Sequence, residues 1–192
     1  MSDANIVVWP NRYVSGFGGG DISEVDFFEV RPLAQALAHT YNTDAHFVPY
    51  VLRGDMVCPR LKKSALPWLR SKGSEVLFNV LVVDVDCPDA HRGGGEAPED
   101  WRLEQLRHLR DTPWWDNAGF YETRGGYRLL WLLDTPMSAE TYVVLLRRLV
   151  FELREYGIPA DELKDWTRCY RLPFVRRDGE DQGRTLDIDD MG

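Results

Sequence analysis

The sequence VLVVDVD, residues 80–86, is an apolar run that ends in two acidic residues separated by one valine. A run of this length and composition is typical of a buried β-strand. Side chains alternate between the faces of a strand, so Asp84 and Asp86 share one face and Val83 and Val85 the other. Two neighbouring carboxylates repel each other, and one of them takes up a proton unless a positive charge lies between them. The stretch therefore indicates either a divalent metal site or only the polar end of a strand.

The composition is that of an ordinary soluble protein, with 192 residues of which 44% are hydrophobic and 28% charged. No apolar run approaches the roughly 20 residues of a membrane span, and the N-terminus lacks a signal-peptide pattern. We therefore expect a cytoplasmic protein with no membrane partner. The three cysteines form no Cys-x-x-Cys pair, which argues against a zinc knuckle. The net charge of −8 argues against a protein that coats duplex DNA.

The first part of the chain predicts a small αβ module, which we assign to residues 1–75. Its pattern favours strands near residues 6–9 and 26–30, a helix over 31–41 and a strand over 45–52. A basic connector follows, and it is either a solvated loop or a path for a nucleic-acid backbone. Its basic residues are Arg53, Arg60, Lys62, Lys63, Arg70 and Lys72.

The remainder, residues 76–192, predicts an α+β core packed with the first part as one domain. Its element order is β-α-β-β-α-β, the ferredoxin-like arrangement, also called RRM-like. A Gly-Gly turn joins the second and third strands, and a helix capped by Ser138 ends at Gly157. The expected elements are strands over 76–86, 119–123, 127–133 and 168–175, and helices over 99–110 and from 138 onward.

This topology predicts that three distant segments meet at one edge of the sheet. With right-handed crossovers, the strands lie in the spatial order fourth, first, third, second, and neighbours are antiparallel. The first strand then ends where the third and fourth strands begin. The candidate site residues are the acids Asp84, Asp86 and Asp165 and the arginines Arg124, Arg128, Arg168 and Arg171.

These residue types favour metal-assisted phosphoryl transfer on a nucleotide. Carboxylate oxygens are preferred ligands of Mg²⁺ and Mn²⁺, and guanidinium groups bind phosphate through paired donors. Gly125 and Gly126 either let a triphosphate approach the backbone closely or only form the turn. In such reactions the protein mainly positions the reactants and neutralises charge.

Three segments together resemble the archaeo-eukaryotic primase superfamily. The sequence LVVDVD at 81–86 resembles its first motif, TRGGYRLLW at 123–131 its second, and DWTRCYRLP at 165–173 its third. Their order is similar to that in primase-polymerases of phages, plasmids and other mobile elements. The resemblance covers residues 76 to 174, whereas the first part fits the accessory module of the family only loosely.

The resemblance implies an RRM-like catalytic core that acts as a DNA primase or DNA polymerase in replication. It implies that Asp84, Asp86 and Asp165 hold two catalytic Mg²⁺ or Mn²⁺ ions. The incoming nucleoside triphosphate would contact Gly125 and Gly126 and the four arginines. Single-stranded DNA template and primer would be the other partners, with a helicase as a further candidate. One departure is Arg128, which stands where the family commonly has histidine.

Two alternatives use the same residues differently. A catalytically inactive RRM-like module could bind single-stranded nucleic acid or a replication partner, which would agree with Arg128 and with the acidic net charge. A metal-dependent nuclease would use the carboxylates but leaves the arginine cluster without a role.

Overall fold

The computed structural model describes residues 4–11, 16–19, 28–53, 60–93, 95–162, 165–182 and 185–189. Within these ranges the chain forms antiparallel sheets and five α-helices, which confirms the mixed α+β class. The helices are α1 (Leu33–Ala38), α2 (Ala65–Ser71), α3 (Pro88–Gly93), α4 (Glu99–Arg110) and α5 (Ala139–Glu155). The strands are β1 (Asn5–Trp9), β2 (Glu29–Pro32), β3 (His46–Val48), β4 (Tyr50–Arg53), β5 (Glu75–Asp86), β6 (Gly119–Glu122), β7 (Gly126–Met137), β8 (Tyr170–Arg171), β9 (Val175–Arg177), β10 (Glu180–Gln182) and β11 (Leu186–Asp187).

The longer sheet has five strands in the order β11-β6-β7-β5-β4. At its centre β5 pairs with β7 from Val80 opposite Leu132 to Asp86 opposite Gly126. The predicted order first, third, second is therefore present as β5-β7-β6. The apolar run of β5 is buried throughout, so the strand that carries the two aspartates is the middle of the core.

The predicted fourth strand does not lie beside the first. The segment expected over 168–175 forms only the short β8, which pairs with β3, and the edge of β5 is taken by β4. Pro173 lacks a backbone N–H and ends the pairing soon after β8. A segment that precedes β8 pairs with β5 instead. Ala160 forms a bridge with Val85, and the Asp161 N–H donates to the Asp84 carbonyl at 2.8 Å.

The second sheet has four strands in the order β2-β1-β3-β8. The strand predicted over 45–52 is divided at Pro49 into β3 and β4, which belong to different sheets. As a result, each of these two sheets contains strands from both halves of the chain, whereas β9 and β10 pair only with each other. β4 joins β5 in the longer sheet, and β8 joins β3 in the shorter one.

The helices follow local sequence signals, with two differences from the expectation. α1 begins only after Pro32 and ends at Ala38, and α2 occupies part of the connector expected to be a loop. α5 agrees with its prediction: the Ser138 Oγ accepts a hydrogen bond from the Thr141 N–H at 3.3 Å. Among the described helices, none is both long and apolar enough to cross a membrane.

Candidate functional site

A row of three polar side chains crosses the middle of the five-stranded sheet. Asp84 on β5 lies opposite Arg128 on β7, which lies opposite Tyr121 on β6, so all three share one face. The Arg128 Nε donates to Asp84 Oδ1 at 2.6 Å, and its Nη1 donates to the Tyr121 hydroxyl at 2.9 Å. Only 3% of the Asp84 side chain and 11% of the Arg128 side chain are exposed. The first predicted acid is thus half of a buried ion pair.

Arg128 is further fixed by β8. Its Nη1 also donates to the Arg171 carbonyl at 2.8 Å, and its Cζ lies 5.0 Å from the centroid of the Tyr170 ring. Burial would lower the pKa of Arg128, but the charges of Asp84 and Tyr121 and the hydrogen bonds to them together raise that pKa. Arg128 is therefore a permanent cation that joins the two sheets.

A second guanidinium contacts the other oxygen of Asp84. The Arg168 Nη2 lies 2.9 Å from Asp84 Oδ2, and its Nη1 donates to Asp161 Oδ2 at 3.0 Å. Burial alone would lower the pKa of Arg168, but the nearby Asp84 raises it. Asp84 Oδ2 is buried and has no well-aligned hydrogen bond from any described residue. Its contact with Arg168 is therefore one of charge.

Asp86 borders a cavity of about 260 Å³ that contains three of the predicted arginines. A Cβ placed on Gly125 would lie 3.1 Å from Asp86 Oδ1, so the turn approaches this carboxylate closely. Gly126 is buried, and a Cβ there would lie only 2.0 Å from the Val85 carbonyl oxygen. The charged and glycine residues of the wall are Asp86, Gly95, Glu122, Arg124, Gly125, Arg128, Arg171 and Arg177.

Arg171 is held against the cavity by the N-terminal half of the chain. Its Nε and Nη2 donate to the two oxygens of Asp44 at 2.6 and 3.1 Å. Burial would raise the pKa of Asp44, but the Arg171 contacts lower it. The His46 Nδ1–H donates to the Asp44 carbonyl at 2.7 Å. Burial, with the charge of Arg171, lowers the pKa of His46 to about 4, so this imidazole is neutral.

Four arginines and two acids, Asp86 and Glu122, line the wall of the cavity. Arg124 is exposed, and Arg177 lies 3.5 Å from the exposed Asp178. Burial lowers the pKa of Arg177, and so do the charges of Arg171 and Arg124. These cations repel one another, and a bound anion would relieve that repulsion. Arg177 was not predicted from the sequence, because it lies beyond the third motif.

A buried arginine of α4 donates hydrogen bonds to the backbone of the turn that carries Arg124. Arg102 donates to the Ala97 carbonyl at 3.2 Å, to Gly126 at 2.5 Å, to Thr123 at 2.7 Å and to Arg124 at 3.1 Å. Sequence analysis missed this residue. The sequence does contain a clue to it: Arg102, Gln105 and Leu109 recur at helical spacing, and together they form the buried face of α4.

The third predicted acid has other partners. Asp165 Oδ1 accepts from the Thr167 N–H at 3.0 Å and from its hydroxyl at 2.8 Å, and it lies 3.6 Å from the Lys63 Nζ. Burial would raise the pKa of Asp165, but these contacts lower it. The carboxylate beside Asp84 is instead Asp161, four residues earlier. Asp161 and Asp86 border a second depression of about 380 Å³.

As arranged, these acids do not form a ready site for Mg²⁺ or Mn²⁺. Over the described part of the chain, no group of three or more His, Cys, Asp or Glu side chains could hold a metal ion. Two guanidiniums already neutralise Asp84. A hard cation would therefore have to compete with Arg168 for this carboxylate.

Comparison with models of protein families, with curated proteins and with solved structures gives no match. The function of the chain is therefore inferred from its side chains and from the motifs that they form. Arginines, glycines and the carboxylates of Asp86 and Glu122 line one cavity.

Proposed function

We propose that the chain is a DNA primase-polymerase that transfers nucleotides from nucleoside triphosphates to a primer on a single-stranded DNA template. The observation that supports this proposal is the cavity in which Asp86 meets Arg124, Arg171 and Arg177. A triphosphate is a ligand with enough negative charge for three guanidiniums. Gly125 leaves the backbone of the turn accessible to it.

The position of Asp86 favours transfer over simple anion binding. A carboxylate beside a phosphate site weakens anion binding unless a cation accompanies the anion. A nucleoside triphosphate that carries Mg²⁺ or Mn²⁺ fits this mixture of charges, because the metal can contact the carboxylate and the phosphates together. The three motif-like segments support the same activity.

A second candidate is a binding module for single-stranded nucleic acid without catalysis. One observation favours it: Asp84, buried and paired with Arg128 and Arg168, is not available as a metal ligand in this arrangement. A pure binding module would show no metal-dependent affinity for a nucleoside triphosphate. Isothermal titration calorimetry with and without Mn²⁺ separates the two candidates.

The test of the proposed activity is primer extension by the full chain on primed single-stranded DNA with Mn²⁺. We expect Asp86→Asn to reduce extension by at least about 100-fold, because charge stabilisation worth several kcal/mol is lost. Asp134→Asn, at an exposed position farther along β7, is the matched control and should retain activity. Full activity of Asp86→Asn would contradict the proposal, and degradation of labelled strands without nucleotide would indicate a nuclease.

A further inference from the structure

None of the described residues of the basic connector, residues 56–74, lines the cavity that contains Asp86. The connector has five basic residues and no acidic one, in a chain whose net charge is −8. Three of the four lysines of the chain lie in it, at positions 62, 63 and 72. A polyanion would be repelled by the chain as a whole but attracted to this one stretch. The connector therefore has the charge of a binding surface that is separate from the cavity.

An aromatic ring lies among these lysines. Trp68 on α2 is half-buried, so part of its side chain faces solvent. The Phe17 ring meets the Trp68 ring edge-on, with the centroids 5.2 Å apart, and supports it. The Lys72 Nζ lies 5.8 Å from the centroid of the Trp68 ring. At this distance the ammonium group can contact the phosphate of a nucleotide whose base lies on the indole.

A glycine-rich segment lies alongside the connector and directs Lys62. The Lys62 N–H donates to the Phe17 carbonyl at 2.8 Å, and Phe17 forms a parallel bridge with Leu61. A Cβ placed on Gly16 would lie 2.9 Å from Lys62 Cγ, and one placed on Gly18 would lie 3.6 Å from Lys62 Cδ. The aliphatic stem of Lys62 therefore lies across the two glycines, and the residue is exposed there.

The lysines continue to the edge of the candidate site. The Lys63 Nζ lies 3.6 Å from Asp165 Oδ1, and both side chains are more than half exposed. The Arg168 N–H donates to the Asp165 carbonyl at 3.3 Å, and the Arg168 side chain contacts Asp84. A nucleic-acid strand that follows the three lysines would therefore reach the sheet edge that carries Asp84.

We infer that Trp68, Lys62, Lys63 and Lys72 form a surface that binds single-stranded DNA, which we call the Trp68 surface. The lysines contact phosphates, and the indole stacks on one unpaired base. Lysine suits this role because its ammonium group is a compact charge on a flexible stem. In a duplex the faces of the bases are already stacked, so the indole favours a single strand. That this strand is the template rests on the proposed function.

The test measures binding of a fluorescently labelled oligothymidylate to the full chain by fluorescence anisotropy, without nucleotide or metal, at several salt concentrations. Trp68→Leu should weaken binding about tenfold and leave the salt dependence unchanged, because it removes a stacking surface and no charge. Lys62→Ala should lower the slope of log Kd against log salt concentration by about 0.7, because one phosphate contact is lost.

Two controls match these variants elsewhere in the chain. Trp115 is also half-buried, and the Arg110 Cζ lies 5.7 Å from the centroid of its ring, so Trp115→Leu removes a similar indole. Arg147 is exposed on α5, and Arg147→Ala removes one positive charge. Both variants should bind the oligonucleotide like the unmodified chain. If thermal melting shows that Trp68→Leu does not fold, Lys62→Glu at its exposed position replaces it and should weaken binding about fivefold or more.

The outcomes separate this inference from the proposed function. Unchanged affinity in Trp68→Leu, or an unchanged salt slope in Lys62→Ala, overturns the Trp68 surface even if the chain extends primers. Absence of binding by the unmodified chain, or equal affinity for a blunt duplex of the same length, also overturns it. The expected losses in a chain that never extends a primer support the Trp68 surface and overturn only the proposed function.

Discussion

Arg128 connects three strands through one buried side chain. Its contacts reach Asp84 on β5, Tyr121 on β6 and the Arg171 carbonyl on β8. Breaking a buried ion pair costs about 3–5 kcal/mol, because the remaining charge is left uncompensated. A histidine at this position could lose its proton near pH 7 and would not balance Asp84 permanently. Arginine therefore has a structural role here in addition to any contact with a ligand.

His46 makes the stability of the chain depend on pH. Its pKa is about 4 in the folded protein, below the ordinary 6.5, so the unfolded chain binds more protons between these values. Stability should therefore fall as the pH decreases from 6.5 to 4, by at most about 1.4 kcal/mol per pH unit. Urea denaturation at several pH values measures this slope.

The control for this prediction is His46→Gln, which cannot titrate. Asp44, whose pKa is lowered in the folded chain by its contacts with Arg171, adds its own loss of stability in acid, so the contribution of the imidazole is the difference between the two slopes. Equal slopes for His46→Gln and the unmodified chain would show that His46 is not buried in its neutral form.

Among the elements, the turn between β6 and β7 depends on a distant residue of α4. Arg102 on α4 satisfies carbonyls on both sides of the turn. We expect Arg102→Met to weaken the binding of a nucleoside triphosphate about tenfold or more, because the carbonyls of the turn lose hydrogen bonds that each contribute about 1.5–3 kcal/mol to stability. Calorimetry measures the affinity.

Leu109→Ala is the matched control for Arg102→Met. It destabilises the same helix by about 2–5 kcal/mol through a core cavity but does not contact the turn. Its nucleotide affinity should stay near that of the unmodified chain. An equal loss of affinity in both variants would mean that α4 acts through overall stability and that Arg102 does not position the turn.

The elements that could be predicted are those with a strong local pattern. The apolar run of β5, the Gly-Gly turn and the capped α5 are local signals, and each is present. The division at Pro49 and the partner of β8 depend on distant pairing, which local propensity does not determine. α2 was missed because Pro67 lies in it, although proline is tolerated in a first helical turn.

At the scale of the whole molecule, the two halves of the chain complete each other's sheets. Fragments divided after Gly73 would leave β5 without β4 and β3 without β8. We therefore expect residues 1–73 and 74–192 to be unfolded when produced alone and to recover structure when mixed. Circular dichroism and size-exclusion chromatography measure both states. Independent folding of 74–192 would show that the core is autonomous.

The candidate site is formed by residues from both sheets. Asp84 and Arg128 could be placed near each other from the sequence, because the predicted topology sets the end of the first strand beside the start of the third. Asp44 and Arg171 are 127 residues apart, and no local pattern relates them. Asp161 was overlooked because the third motif directed attention to Asp165. Contacts within neighbouring strands were accessible to sequence reasoning, whereas contacts between the two sheets were not.

Gly125 and Gly126 are neighbours in the turn, but a natural substitution would have a different consequence at each. Every other amino acid has a Cβ, and at Gly126 that atom would overlap the Val85 carbonyl oxygen. Invariance at 126 would thus arise from folding alone, even in a lineage that had lost its activity. At Gly125 the added atom would meet the Asp86 carboxylate. Of the two positions, only Gly125 would therefore vary if selection on the proposed reaction were lost.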